Sequence, residues 1–67
     1  MNLDAKYPDI EVELTGHDGN AMAIISAVRR ALRRKAPPSA VDAFTSEAMS
    51  GDYDHVLQTA MRWVDVS

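Results

Sequence analysis

The stretch Ala21–Lys35, AMAIISAVRRALRRK, has the clearest periodicity in this chain of 67 residues. Its apolar residues recur every three or four positions, the spacing of one helix face, and they are Ala21, Ile24, Ile25, Val28 and Leu32. The opposite face carries four arginines, which are Arg29, Arg30, Arg33 and Arg34. Two prolines follow at positions 37 and 38 and are expected to end the helix. The pattern therefore predicts an amphipathic helix with an aliphatic stripe on one side and guanidinium groups on the other.

A half-buried strand is predicted ahead of this helix. Residues 10–15 alternate apolar and polar without a break, which places three side chains on one face: Ile10, Val12 and Leu14. The next segment, Gly16–Asn20, has the composition of a turn, and either Asp18 or Asn20 can cap the helix that follows. We expect residues 1–8 to be a flexible leader and residues 9–67 to form a single domain.

Two shorter helices are predicted in the second half of the chain. Ser39 and Asp42 have the spacing of a capping box at a helix start. The helix after them is expected to bury Val41, Phe44 and Ala48 and to end near Gly51. Asp52 is the natural cap of a third helix. Its apolar positions again recur every three or four residues, and they are Tyr53, Val56, Leu57, Ala60, Met61 and Val64.

The last residues, Trp63–Val66, allow two interpretations. They are either the frayed end of the third helix or a short strand in which Val64 and Val66 share a face. We favour the strand, because an isolated first strand would leave a row of backbone groups unpaired. Pairing with the same strand of a second molecule would also satisfy them. The predicted fold is therefore α+β, with one N-terminal strand, three helices and a short C-terminal strand that pairs with the first.

Core positions are expected for three of the aromatic side chains, which are Trp63, Tyr53 and Phe44. Tyr7, next to Pro8, is the aromatic residue that we expect to be most exposed. An exposed Trp63 would instead indicate an interface, because tryptophan is enriched at interface hot spots.

The overall composition indicates one small soluble domain. With 46% hydrophobic residues and a net charge of −3, the chain is too apolar for a disordered polyelectrolyte. It has no cysteine, which excludes disulfides and thiolate metal sites. The N-terminus lacks the apolar core of a secretory signal, and no apolar run approaches the length of a membrane span. We therefore expect the protein in the cytoplasm, which is that of the host cell if a phage encodes it.

Basic charge is concentrated in one segment. Residues 29–35 hold five of the seven basic residues and none of the ten acidic ones. The arginines, four positions apart, form a ladder suited to gripping phosphate or carboxylate. The candidate macromolecule-binding residues are Arg29, Arg30, Arg33 and Arg34.

Three interpretations of this ladder stay open. It contacts nucleic acid, although the acidic remainder of the chain opposes extended DNA binding. It is an ordinary solvated face whose cations lie favourably near the helix C-terminus. Or it meets the protein's own acidic surface, for example Glu11 and Glu13 across a subunit contact.

Catalysis and metal binding find little support in the sequence. The only suitable atoms belong to His17–Asp18 and to Asp52, Asp54 and His55, whereas a zinc site needs three or four ligands on rigid elements. The turn Gly16–Asn20 leads into a helix N-terminus that could hold an anion, but its glycines lack the spacing of phosphate-binding loops. No serine lies in a strand-to-helix elbow. We expect no enzyme activity, no cofactor and no metal.

Two stretches resemble a known group of proteins. One is His17–Ala21, HDGNA, before the first helix, and the other is Ser50–Val64, which contains SGDYDH and MRWV. Both resemble very small uncharacterised proteins carried by actinobacteria and their phages, and the likeness covers most of the chain from Tyr7 onward. That group has no established activity. The resemblance therefore implies a mobile-element setting and an accessory role, without any functional residue.

The leading hypothesis is a non-enzymatic accessory protein of phage or mobile-element origin that binds another protein. We expect it to form a homodimer through the strand edge or the apolar helix faces. An inhibitor of a host defence complex is a narrower version of this hypothesis. The alternative is a small nucleic-acid-binding regulator that uses the arginine face of the first helix.

Overall fold

The computed structural model describes residues 5–14 and 20–67. This part of the chain contains two short strands and three helices. Their order is β1 (Tyr7–Val12), α1 (Ala21–Lys35), α2 (Pro38–Ala48), α3 (Tyr53–Trp63) and β2 (Val64–Val66). The predicted α+β fold is confirmed, including the order of its elements. The helices and the inner face of the sheet enclose one apolar core.

The two strands form a parallel sheet. Parallel neighbours need a long crossover connection, and the three helices supply it. Val12 pairs with Val66, and the ladder extends past both strands because the Ser67 N–H donates to the Val12 carbonyl at 3.0 Å. The Leu14 N–H in turn donates to the Ser67 carbonyl at 3.0 Å. The favoured interpretation of the C-terminal residues as a strand is confirmed.

The predicted limits of the first strand are wrong. It spans Tyr7–Val12, whereas the alternating pattern indicated residues 10–15. Leu14 packs against the core beyond the end of β1, and Thr15 lies outside the described residues. The strand begins earlier than the sequence pattern indicated, because the ring of Tyr7 stacks on that of the distant Trp63, with centroids 6.1 Å apart. Residues 5–8, assigned to a leader from the sequence, therefore pack against the end of α3, and Ala5 is buried.

Helix α1 matches its prediction from end to end. It begins after Asn20, whose side-chain oxygen accepts a hydrogen bond of 2.9 Å from the Met22 N–H. Its predicted stripe faces the core, and the fully buried members are Ile24, Ile25, Val28 and Leu32. The helix ends at Lys35, so that three cations lie in its last turn, where the helix dipole favours them. The rest of the predicted turn, residues 16–19, lies outside the described residues.

Helix α2 does not begin with the predicted capping box. It starts at Pro38, with Pro37 in the N-cap position and no side chain as a cap. Proline suits the first helical position because its missing N–H would have no intrahelical partner there. Ser39 and Asp42 are exposed. The predicted core residues of this helix are confirmed, and they are Val41, Phe44 and Ala48.

Helix α3 has the predicted cap but a partly different buried face. The Asp52 carboxylate accepts from the His55 N–H at 3.0 Å. Tyr53 and Met61 were predicted to be buried, yet they are 40% and 51% exposed. The buried face instead follows Val56, Thr59, Ala60 and Trp63, and it brings the Trp63 ring against Phe44 of α2.

The aromatic centre of the fold is Trp63, and its predicted core position is confirmed. Its ring meets Phe44 edge to face at 5.9 Å, and the ammonium of Lys6 lies 4.1 Å from the ring centroid. The indole N–H donates to the Glu47 carboxylate at 2.8 Å. Tyr7 is half-buried by its stacking on this ring. The indole therefore joins the N-terminal residues, α2 and α3.

Candidate macromolecule-binding surface

The four candidate arginines lie on α1, but they are not equivalent. Arg30, Arg33 and Arg34 are exposed, whereas Arg29 is half-buried. Within the described residues none of the four forms an ion pair, and the salt bridge seen there joins Arg62 to Glu47 at 3.4 Å. The positive charge of α1 therefore has no direct neutralising partner in this part of the chain.

Arg29 and Arg33 share the flank of α1 that faces the start of α2. They are four positions apart, which aligns them along one side of the helix. Together with residues of α2 they enclose a half-open hollow of about 380 Å³. We call it the Arg29–Arg33 hollow, and its other lining residues are Ala36, Pro38, Val41 and Asp42.

The guanidinium of Arg29 contains a buried donor. Its Nε atom is shielded from solvent and has no hydrogen-bond acceptor among the described residues. A buried donor without an acceptor loses its hydration without compensation, at a cost of about 1–3 kcal/mol. Native proteins contain few such groups, so each one needs an explanation.

Arg34 lies on the other flank of α1 and faces the first strand. A polar hollow of about 210 Å³ separates Arg34 and Lys35 from Asp9 and Glu11 of β1. These acidic side chains are exposed and form no ion pair with the two cations. Opposite charges therefore border one groove within the monomer, so Arg34 is electrostatically less available to an external anion than Arg33.

An exposed apolar surface lies at the opposite end of α1. Three large hydrophobic side chains surround it, with Met22 51%, Met49 56% and Tyr53 40% exposed. They line a shallow hollow of about 250 Å³ that also contacts Ile25, Val56 and Asp52. This surface is not predicted from the sequence, because Met22 and Met49 lie off the periodic stripes and the helical spacing of Tyr53 indicates a core position.

The Arg29–Arg33 hollow and the hollow lined by Met22 and Met49 belong to one surface. Helices α1 and α2 run in opposite directions, so that Met22 lies near Met49 at one end and Arg33 lies near Pro38 at the other. The rise of an α-helix places about 16 Å between Met22 and Arg33 along α1. We call this surface the α1–α2 face; it has an apolar end and a cationic end.

A serine and a histidine also lie close together, between α2 and α3. Ser50 Oγ is 3.0 Å from His55 Nε2, a distance typical of a nucleophile and its base. However, Nε2 is also 2.8 Å from the Glu47 carbonyl oxygen, which can only accept. Nε2 therefore carries its proton, and Ser50 Oγ likewise donates to the same carbonyl at 2.7 Å. Both side chains therefore hydrogen-bond to the Glu47 carbonyl near the end of α2, and a protonated Nε2 cannot act as a general base for Ser50.

Gly51→Ala is expected to lower the free energy of unfolding by about 1–3 kcal/mol, the usual cost of overpacking. A Cβ at position 51 would lie 2.7 Å from Cβ and Cγ of His55, so the imidazole must move away from the Glu47 carbonyl. Urea denaturation followed by circular dichroism measures the change. Ser50→Ala is the matched control, because it removes the exposed hydroxyl, with its contacts to the Glu47 carbonyl and to His55 Nε2, without introducing a clash. Equal stabilities of the two variants would contradict this account.

The described part of the chain offers neither a metal-binding cluster nor a membrane span. Across residues 5–14 and 20–67, no three His, Cys, Asp or Glu side chains gather in a way that could hold a metal ion. His17 and Asp18, named as possible ligands, lie outside these ranges. None of the described helices is both long enough and apolar enough to cross a bilayer.

Comparison with known proteins brings no match to this chain: no protein-family model fits it, and no curated protein or solved structure is similar to it. The resemblance to small actinobacterial and phage proteins therefore stays a prediction. The interpretation of the α1–α2 face rests on its geometry and chemistry.

Proposed function

We propose that this chain is a non-enzymatic accessory protein of phage or mobile-element origin that acts in the cytoplasm by binding another protein. The α1–α2 face is the observation that supports this proposal. Exposed apolar patches on soluble proteins, when they are contiguous and large, often mark interaction sites. Here Met22, Met49 and Tyr53 are each at least 40% exposed around one hollow.

The chemistry of this face suits a protein partner. Methionine side chains are flexible and polarisable, so they adapt to varied apolar surfaces. Tyrosine, methionine and arginine are enriched in protein interfaces relative to the remaining surface. A nucleic-acid backbone would engage the arginines but would leave the methionine end in water.

The same face supports a homodimer. Its cationic end has Arg29 and Arg33, while Asp52 lines the hollow at its apolar end. A two-fold symmetric contact requires a self-complementary surface. Two copies packed with their α1 helices antiparallel would bring the cationic end of each to Asp52 of the other.

Dimerisation through the edge of β1 is less favourable. Its side chains Asp9 and Glu11, with Glu13 just beyond, are exposed. Antiparallel pairing of two such edges would bring like charges together, and charged edge strands oppose this kind of association. We therefore propose dimerisation through the helix faces and not through the strand edge, the two alternatives that the sequence allowed.

Replacing Met22 and Met49 together by serine is expected to convert the dimer to a monomer and to abolish partner capture, because both changes remove apolar area from the face. Sedimentation equilibrium measures the mass, and affinity capture from an actinobacterial lysate compares the bound proteins. Met61→Ser is the matched control, since Met61 is 51% exposed on α3 and does not line the hollow.

The possible outcomes separate the two parts of the proposal. A wild-type chain that stays monomeric at every concentration would overturn the homodimer. Equal capture by the double variant and by Met61→Ser would overturn protein binding through this face. An affinity for duplex DNA that falls steeply with salt and persists in the double variant would favour the nucleic-acid alternative, for which exposed Arg30 and Arg33 are the supporting observation.

A further inference from the structure

The exposed methionines of the α1–α2 face are chemically reactive as well as apolar. The chain has four methionines and no cysteine, so that no thiolate competes with the thioethers for an oxidant. Met22 is 51% and Met49 56% exposed, and both line the same hollow. The indole of Trp63 is only 4% exposed and is therefore shielded. A small oxidant in solution thus has access to the thioether side chains of this face.

The reaction of a thioether with hydrogen peroxide is a two-electron oxygen transfer. A lone pair of the sulfur attacks one peroxide oxygen, so that an S–O bond forms and the O–O bond breaks. The second oxygen leaves with the bonding electrons and takes up the remaining proton, which completes a water molecule. The thioether is oxidised to a sulfoxide and the peroxide is reduced to water. Methionine sulfoxide reductases reverse the change with a thiol reductant, which becomes a disulfide.

Oxidation changes the physical character of the hollow at the apolar end of the face. The sulfoxide is polar, whereas the thioether that it replaces is apolar. The other residues that line the hollow are mostly apolar, including Ile25 and Val56. A sulfoxide oxygen pressed between this surface and a partner would lose its hydration without gaining a hydrogen bond. Because Met22 and Met49 line one hollow, a single contact would bury both sulfoxides.

Met61 provides a comparison within the same chain. It is 51% exposed, as Met22 is, but it lies on α3 and does not line the hollow. Exposure therefore predicts oxidation of all three of these methionines, whereas position predicts that only Met22 and Met49 affect binding. Met1 lies outside the described residues.

We propose that Met22 and Met49 form an oxidation site, at which hydrogen peroxide disables the α1–α2 face and sulfoxide reduction restores it. The effect on association rests on the proposed function, whereas the oxidation and the loss of apolar surface do not. Conversion of both methionines is expected to weaken the homodimer about tenfold or more, the cost of burying a polar group without a hydrogen bond.

Association and oxidation are expected to oppose each other. The dimer covers both side chains, so the reaction takes place in the free monomer. Raising the protein concentration is therefore expected to slow the oxidation of Met22 and Met49 and to leave the rate at Met61 unchanged. Equal slowing at all three positions would contradict this part of the proposal.

Peptide mapping by mass spectrometry follows the reaction at each methionine of the full chain. A dilute sample treated with hydrogen peroxide is expected to gain one oxygen at Met22, Met49 and Met61, with its far-ultraviolet circular dichroism unchanged. Hydrophobic interaction chromatography then reports the exposed apolar surface without any partner, and oxidation is expected to shorten the retention. If Met22 or Met49 stays unoxidised while Met61 is converted, the site is wrong. Unchanged retention after full conversion would overturn the loss of apolar surface.

Two variants assign the effect on association to the face. Met22→Leu combined with Met49→Leu removes both sulfurs at similar volume, whereas Met61→Leu removes one sulfur elsewhere. Each variant is its own reference, through the ratio of the dimer dissociation constants after and before peroxide, measured by sedimentation equilibrium. The ratio is expected to stay near one in the double variant and to reach about ten or more in Met61→Leu. Equal ratios in the two variants would overturn the assignment to Met22 and Met49.

The chromatographic retention separates failure of this proposal from failure of the proposed function. A chain that is monomeric at every concentration before peroxide would overturn the homodimer, and the retention would then decide the oxidation site. A smaller loss of retention in the double variant than in Met61→Leu would support the site, and equal losses would overturn it. Treatment with the reductases for both sulfoxide epimers and a thiol is expected to restore the retention. A loss that persists after full reduction would overturn the reversibility.

Discussion

Trp63→Ala is expected to leave much of the protein unfolded at 25 °C. Replacing a buried large aromatic side chain by alanine costs about 3–5 kcal/mol, and Trp63 is 4% exposed. A chain of 67 residues has a total stability of only about 3–10 kcal/mol. The substitution would remove the partner of the Tyr7 and Phe44 rings and would release residues 5–8 from α3.

Urea denaturation followed by far-ultraviolet circular dichroism measures this loss, because the fluorescence probe is itself removed. Trp63→Phe is the informative control, since it keeps an aromatic ring against Phe44 and loses the indole N–H bond to Glu47. That loss is expected to cost about 1–2 kcal/mol. Equal unfolding midpoints for the alanine and phenylalanine variants would show that ring packing is not the main contribution of Trp63.

The best predicted element was α1, for a physical reason. Its periodic stripe, its cap at Asn20 and its cations near the C-terminus all indicate the same helix. The start of β1 could not be predicted, because Tyr7 joins the strand through a ring that is distant in sequence. The start of α2 was misjudged because Pro38, which ends one helix pattern, is also a favourable first residue of the next.

Only part of the candidate site could be predicted from the sequence. The sequence identified Arg29, Arg30, Arg33 and Arg34 as a group, since their clustering is local. Their division between two flanks depends on the positions of α2 and β1, which no local pattern contains. The buried Nε atom of Arg29 is likewise a consequence of tertiary packing. The exposed methionines could have been suspected, because Met22 and Met49 follow none of the predicted stripes.

Removing residues 64–67 is expected to abolish the cooperative fold. Val64 is fully buried, and the burial of a valine side chain contributes about 1.5–3 kcal/mol. Without β2 the first strand also loses its strand partner in the described sheet. Backbone bonds to Val12 and Leu14 are lost with Ser67, each worth about 0.5–1.5 kcal/mol. Together these losses approach the total stability of so small a chain, about 3–10 kcal/mol.

Amide dispersion in ¹H–¹⁵N spectra and the urea transition report the result directly. Removing Ser67 alone is the graded control, because it keeps Val64–Val66 in the sheet and removes the two backbone bonds at the end of the ladder. We expect this shorter deletion to keep the dispersed spectrum and to lower the urea midpoint. A monomer that remains folded without residues 64–67 would mean that β1 needs no partner strand. A folded dimer of the same truncated chain would mean that the edges of β1 pair despite Asp9 and Glu11, and the charge argument against that contact would then be wrong.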